Sequence, residues 1–121
     1  MADDFTNRII GAAIEVHRHL GPGLLESIYE AALCHEFDLR RVNYEKQKRI
    51  DIIYKGIPIK GQRIDLIVAN EVVLELKATN NFSELFISQT LSYLKATDLR
   101  KALIINFAKQ RLIEGIKRVS L

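Results

Sequence analysis

Residues 63–78, RIDLIVANEVVLELKA, constrain the fold of this chain more than any other segment. Two runs rich in Ile, Leu and Val flank the tripeptide ANE, which is the composition of two β-strands joined by a tight turn. If the turn is symmetric about Asn70, Asp65 lies opposite Glu75. The segment therefore predicts an antiparallel hairpin whose register follows from its own sequence.

Charged side chains gather on one face of this predicted hairpin. Side chains alternate between the faces of a strand, and residues directly opposite each other in an antiparallel pair share a face. The charged face holds Arg63, Asp65, Glu75 and Lys77. The apolar face is expected to hold Ile64, Leu66, Val68, Val72, Leu74 and Leu76. Because unpaired buried charges are strongly unfavourable, the charged cluster needs a partner or a function.

The facing carboxylates of Asp65 and Glu75 predict a metal site. Two carboxylates held this close repel each other unless a divalent cation neutralises both, and oxygen ligands without thiol or imidazole favour Mg²⁺ or Mn²⁺ over Zn²⁺. The ammonium of Lys77, on the same face, can position or deprotonate a water and stabilise charge on a phosphate. These parts suit metal-assisted phosphodiester hydrolysis. The alternative reading of these residues is a solvated strand face without a catalytic role.

The amino-terminal part of the chain predicts two helices. Apolar residues of segment 3–20 recur at steps of three and four, which is the period of an amphipathic helix. The sequence GPG at 21–23 ends this helix, and residues 24–39 predict a second one directly after it.

The remaining segments predict strands around one further helix. Residues 42–59 alternate as strands do, with a turn signal at 54–58. A helix over 81–97 precedes a short apolar strand at 101–107, and this order predicts a crossover to a parallel pair in a mixed sheet. Residues 111–121 are ambiguous, and a final edge strand is favoured.

The composition fits one compact domain over residues 1–121. The chain is 48% hydrophobic and 27% charged, which is enough apolar surface for one core and argues against disorder. No apolar run approaches the roughly 20 residues that span a bilayer, and no export signal is recognisable. A single cysteine, Cys34, excludes an internal disulfide. We therefore expect a cytoplasmic protein without a membrane partner.

Asp65, followed on the next strand by Glu75, Leu76 and Lys77 and then by a helix and a strand, resembles the PD-(D/E)XK nuclease superfamily. The ordered motifs GLLESIY, ELKAT and SQTLSYLKAT resemble, more narrowly, the GxxExxY proteins of bacteria and archaea. The likeness covers nearly the whole chain. It implies an α/β fold with a restriction-endonuclease-like core, in which α-helices, two of them amino-terminal, flank a mixed β-sheet. The chain has Ile64 where the superfamily's name places a proline.

The resemblance also implies roles for individual residues. Asp65 and Glu75 would be metal ligands, Lys77 the catalytic lysine and the Leu76 carbonyl a further ligand, with Mg²⁺ or Mn²⁺ as the cofactor. Glu26 matches a helical acid that completes the metal site in related exonucleases. The alternative for Glu26 is a carboxylate that only stabilises the first turn of its helix through the helix dipole.

Three further residues are expected to bind substrate. Gln89 and Tyr93 are spaced i, i+4 and resemble the Q-xxx-Y element of RecB-type nucleases, and Tyr29 lies on the same predicted helical face as Glu26. The alternative for Gln89 is an amide that caps the core. Basic residues cluster within 40–49 and 100–118, which suits a nucleic acid partner, with DNA favoured.

These observations favour a small metal-dependent nuclease. We expect a homodimer, because a domain of this size has little surface for holding a duplex. A function of another class is also open: a catalytically silent module on the same fold that binds nucleic acid or protein. A third alternative is a structural domain with charged surface residues.

Overall fold

Three α-helices and five β-strands make up the fold in the computed structural model, which describes residues 3–121. The elements are α1 (Asp4–Leu20), α2 (Glu26–Leu39), β1 (Tyr44–Tyr54), β2 (Ile57–Val68), β3 (Val72–Lys77), α3 (Glu84–Thr97), β4 (Lys101–Asn106) and β5 (Ile116–Ser120), with a short 3-10 helix at Leu112–Gly115. The predicted α/β class is confirmed. Within residues 3–121, no helix is long and apolar enough to cross a membrane.

The strands form one mixed sheet in the order β1-β2-β3-β4-β5. Strands β3 and β4 are parallel and are joined by α3, as the strand-helix-strand order predicts, while all other neighbours are antiparallel. The final segment forms the predicted edge strand, β5. The sheet is therefore a mixed sheet with helices on both faces, as expected for a restriction-endonuclease-like core.

The turn between β2 and β3 sets the register of the central hairpin. Ala69 and Asn70 have φ angles of 53° and 54°, which matches a type I′ turn, the geometry that fits the twist of paired strands. The Glu71 N–H donates to the Val68 carbonyl at 3.0 Å, and Val68 pairs with Val72 across the three-residue connection. This confirms the register predicted around Asn70.

Two apolar clusters lie on opposite faces of the sheet. Helices α1 and α2 cover one face, where Tyr29 and Leu33 pack against strand residues such as Leu74. Helix α3 covers the other face, where Leu94 packs against strand residues such as Val73. The core therefore has two layers, and the strand ends emerge between them.

Ile64 does not lie on the predicted apolar face. It is fully buried, but it packs in the cluster under α3, whereas Leu66 packs under α1 and α2. The alternation of β2 is therefore interrupted at Asp65. On β1, Gln47 lies between the residues that pair with Ile64 and Leu66, and it has a φ of 53°. Both strands are therefore irregular at the same level.

Strands β1 and β2 extend beyond the rest of the sheet. Strand β2 pairs with β3 only over residues 66–68, but its pairing with β1 continues to the turn at Lys55 and Gly56. We call residues 48–64 the β-arm; among residues 3–121, no third strand pairs with them. Its base packs against α3 through Ile50 and Ile64, and its tip is exposed.

Gly115 allows the 3-10 helix to pass close to β4. A Cβ atom at this position would collide with the backbone carbonyl oxygen of Asn106. We expect Gly115→Ala to lower the free energy of unfolding in urea by about 1–3 kcal/mol, because neither backbone segment can move freely. Gly11→Ala is the control, since its Cβ would lie 3.7 Å from the Arg40 side chain, an ordinary contact. Equal losses in the two variants would contradict the steric explanation.

Candidate active site

The backbone hydrogen bonds between β2 and β3 end before Asp65, where hydrogen bonds from side chains join the two strands instead. The Asp65 N–H donates to Oε2 of Glu75 at 2.9 Å, and the Leu76 N–H donates to Oδ2 of Asp65 at 2.8 Å. Each carboxylate thus holds the backbone of the opposite strand through one oxygen. Within residues 3–121 the other oxygen of each carboxylate accepts no hydrogen bond, yet neither is a buried unsatisfied atom. Both of these oxygens are therefore open to a ligand.

Burial makes this carboxylate pair unfavourable when it is ionised. Glu75 is only 4% exposed, and its burial, reinforced by the charge of Asp65, raises its pKa to about 8. Burial also raises the pKa of Asp65, although the Leu76 N–H and the charges of Lys77 and Arg63 oppose the rise. In the described part of the chain, no cation lies within 4.0 Å of either carboxylate. The pair lacks the positive charge that a divalent cation would bring.

Lys77 follows the pair on β3 and is half-buried. Its Nζ lies 4.3 Å from the ring centroid of Phe86 on α3, a cation–π contact that holds the ammonium without neutralising it. Its charge lowers the pKa of both Asp65 and Glu75. The structure therefore brings together the acid-acid-lysine set predicted from the sequence.

Glu26 is the first residue of α2 and is exposed. Its charge contributes to the raised pKa of Glu75, so the two carboxylates are close enough to interact electrostatically. However, residues 3–121 contain no group of three or more His, Cys, Asp or Glu side chains positioned to hold one metal ion. The structure does not assemble the predicted three-carboxylate set, and the ligand role of Glu26 stays a prediction.

Glu30 is a candidate site residue that the sequence places on one helical face with Glu26 but to which the sequence interpretation assigned no role. It lies one turn after Glu26 on α2, and both burial and the charge of Asp65 raise its pKa. The side chain of Gln47 donates a hydrogen bond to Oε1 of Glu30 at 2.7 Å. The i, i+4 spacing of the two glutamates was the available signal. The contact with β1, however, spans 17 residues of sequence and could not be read from that spacing.

Tyr29, predicted to bind substrate, is fully buried. Its hydroxyl donates to the carbonyl of Gly21 at 2.5 Å and accepts from the Leu24 N–H at 3.1 Å. Its ring stacks on Phe107 with centroids 4.4 Å apart. Tyr29 therefore stabilises the loop before α2, and its side chain exposes no surface that a substrate could contact.

Tyr93 and Gln89 lie one turn apart on α3 but differ in exposure. Tyr93 is 3% exposed, and its hydroxyl donates to Oε1 of Gln62 at 3.0 Å. Burial, together with the charges of Glu75 and Asp65, raises the Tyr93 pKa to about 12. Gln89 is exposed. Of the two side chains, only that of Gln89 is exposed to solvent, so a role of Tyr93 in substrate binding would have to act through its buried hydroxyl.

A family model described as the PD-(D/E)XK nuclease superfamily matches residues 3–119. No curated protein and no solved structure matches the chain significantly.

Proposed function

We propose a function for this chain from one premise, which is that it belongs to the PD-(D/E)XK nuclease superfamily. We infer that it is a metal-dependent nuclease that hydrolyses phosphodiester bonds in nucleic acid, with DNA favoured as the substrate. The observation that carries this proposal is the buried pair of Asp65 and Glu75, whose second carboxylate oxygens accept no hydrogen bond and which has no cation within 4.0 Å among residues 3–121. The ordered motifs quoted above support placing the chain among the GxxExxY proteins.

The ligands available at the pair suit a hard divalent cation. Asp65, Glu75 and the Leu76 carbonyl would hold the ion, and Glu26 is proposed as a further ligand. All of these donors are oxygens, which is the preference of Mg²⁺ and Mn²⁺. When bound, such an ion polarises a phosphate oxygen and lowers the pKa of a coordinated water.

The side chains around the pair have separate proposed roles. The backbone N–H groups hold the two carboxylates in place, so their open oxygens point to a fixed position. Lys77, held by Phe86, stabilises negative charge that develops on the phosphate and orients the attacking water. Gln89 contacts the nucleic acid from the exposed side of α3, and Tyr93 keeps a neutral hydroxyl beside the carboxylates.

Cleavage of a substrate panel tests the proposal. Labelled linear duplex, circular duplex, single-stranded and four-way DNA, and RNA, are incubated with the protein and Mg²⁺, Mn²⁺ or EDTA. We expect cleavage of at least one DNA substrate with a divalent metal and none in EDTA. An intact panel under every metal condition would overturn the nuclease proposal.

A second candidate function is nucleic acid binding without cleavage. It is favoured by the absence, within residues 3–121, of a third acidic or imidazole side chain grouped with Asp65 and Glu75. Tight binding of a panel member that stays uncut with both metals would support this candidate. Metal-dependent cleavage would exclude it.

We also propose that the protein acts as a homodimer, because one small domain offers limited contact area to a duplex. Size-exclusion chromatography with light scattering should give about 28 kDa, twice the mass of 13.9 kDa for one chain. A mass equal to one chain at the concentrations used for cleavage would contradict the dimer.

A further inference from the structure

We propose that the β-arm, residues 48–64, binds the backbone of a double-stranded nucleic acid beside the cleavage position. The inference rests on the proposed function in one respect, namely that the carboxylate pair marks where the substrate reacts. It goes further by assigning a separate surface to substrate binding and by choosing duplex over single strand.

The β-arm concentrates the positive charge of the chain. It contains five basic residues and one acidic residue, which gives it a net charge of +4, whereas the whole chain carries +3. All six of these side chains belong to exposed residues: Lys48, Arg49, Asp51, Lys55, Lys60 and Arg63. Such a concentration attracts a polyanion, because nucleic acid affinity is dominated by contacts to phosphates.

Three of these cations converge on one side of the β-arm. Arg49 and Arg63 are direct cross-strand partners. Like charges placed opposite each other on paired strands repel, and a bound anion would relieve this repulsion. Both side chains line a shallow cavity of about 300 Å³ together with Lys60 and the single acid Asp51. Within the described residues, no carboxylate oxygen lies within 4.0 Å of any of the three cations. The cavity is therefore suited to an anion.

The cationic side of the β-arm begins at the carboxylate pair. Arg63 precedes Asp65 by two residues on β2, a separation of roughly 7 Å along a strand. The neighbouring Ile64 packs under α3, so the alternation of side chains along a strand puts Arg63 on the face that α1 and α2 cover. Its charge also lowers the pKa of both Asp65 and Glu30. Arg49 lies beside Arg63 at the same level of the sheet, and Lys60 lies further towards the tip of the β-arm. If one phosphate of a strand lies at the carboxylates, the adjacent phosphates of that strand would lie next to these three cations.

The shape and composition of the β-arm favour a duplex. A two-stranded β-ribbon fits the major groove of a double helix, with its basic side chains directed to the flanking backbones. Proteins that hold single strands present several aromatic rings on which bases stack. The β-arm has one aromatic residue, Tyr54, at its tip. We therefore assign it to contacts with a duplex backbone that do not depend on base sequence.

Equilibrium binding in EDTA, where cleavage cannot proceed by a metal route, tests the proposal. Fluorescence anisotropy is measured with a labelled DNA duplex, the matching RNA duplex and the matching single DNA strand across a series of salt concentrations. The test variant is Arg49→Gln/Lys60→Gln, which leaves Arg63 beside Asp65. The matched control is Arg8→Gln/Arg18→Gln, which removes the same charge from two exposed residues. Both control residues lie on α1, outside the basic clusters at 40–49 and 100–118.

We expect the test variant to bind the DNA duplex at least about tenfold more weakly, with the slope of log affinity against log salt reduced by about 2. The control should stay within about twofold of the wild type. The charge-preserving variant Arg49→Lys/Lys60→Arg should bind as the wild type does. Urea unfolding of each variant shows whether the substitutions change stability, which is not expected for exposed side chains.

Several results would overturn the inference. One is a salt slope of Arg49→Gln/Lys60→Gln equal to that of the wild type, and another is a control that loses as much affinity for the DNA duplex as this variant does. Either result would show that the β-arm makes no specific phosphate contacts. Tighter binding of the single strand than of either duplex would overturn the choice of duplex. The inference and the proposed function can fail separately. If Arg49→Gln/Lys60→Gln reduces the salt slope but no metal-dependent cleavage is found, only the nuclease proposal fails. If the protein cleaves DNA but the variant leaves the salt slope unchanged, only the proposed role of the β-arm fails.

Discussion

Replacing Lys77 with methionine should slow metal-dependent cleavage by about 10²- to 10⁴-fold, the range that a positioned acid-base or charge-stabilising group supplies. Methionine keeps an unbranched stem against the Phe86 ring, so the contact between β3 and α3 should survive. Only the ammonium is lost. Initial rates of cleavage at saturating metal, measured with the best substrate of the panel, give the comparison.

Lys117→Met is the matched control for this effect. The Nζ of Lys117 lies 5.8 Å from the ring centroid of Phe82, so the control removes a second ammonium with a similar aromatic contact. It lies on β5, which is separated from β3 by β4. We expect the control to retain nearly all cleavage activity. Equal rate losses in the two variants would show that the effect is loss of general positive charge and would contradict the specific role of Lys77.

Replacing Glu75 with glutamine should stabilise the metal-free protein at alkaline pH. The pKa of Glu75 is raised from 4.5 in model compounds to about 8, so the folded state retains a proton that the unfolded state releases. The free energy of unfolding should therefore fall as the pH rises from about 4.5 to about 8, and this loss is absent below that window, where both states are protonated. At pH 8 the difference between variant and wild type should be of the order of 2–4 kcal/mol.

Urea unfolding in EDTA at several pH values measures this difference. The wild type should lose stability across the stated window, whereas Glu75→Gln should show a much weaker dependence on pH. Glu84→Gln, at an exposed position in the first turn of α3, is the control and should follow the wild type. A wild-type protein that becomes more stable from pH 5 to pH 8 would contradict the assigned sign.

A divalent metal should reverse the alkaline loss of stability. Ligands that bind only the folded state stabilise it in proportion to the logarithm of their concentration relative to Kd. Adding Mg²⁺ or Mn²⁺ at pH 8 should raise the urea midpoint of the wild type and leave Glu75→Gln nearly unchanged. Equal stabilisation of both proteins by either metal would place the bound ion elsewhere in the molecule.

Sequence reasoning succeeded where the structure depends on neighbouring residues. Two apolar runs flank the short segment centred on Asn70, so the pairing of β2 with β3 could be predicted. The positive φ of Ala69, which alanine disfavours, could not. The crossover through α3 to β4 follows from the order of the elements. The pairing and the crossover required no knowledge of distant contacts.

The other missed features all depend on contacts between distant parts of the chain. Ile64 turns towards α3 at a level where β1 is irregular, and an alternating pattern in β2 carries no sign of an irregularity in its partner. Glu30 approaches Asp65 because Gln47 of β1 holds it. Tyr29 is buried because its ring stacks on Phe107, which lies beyond the end of β4. Periodicity and spacing describe single elements, so they do not report such encounters.

The hydrogen bonds by which the carboxylates of Asp65 and Glu75 hold the backbone of the opposite strand have a consequence for how this fold can change during evolution. The same carboxylates join two strands and offer the oxygens proposed for metal binding. An asparagine or glutamine at these positions can still accept the strand N–H, whereas alanine leaves it without a partner. Descendants that lose catalysis should therefore drift first to the amide at these two positions. Loss of activity would then leave the sheet intact, so a silent binding protein is only one substitution away from an enzyme.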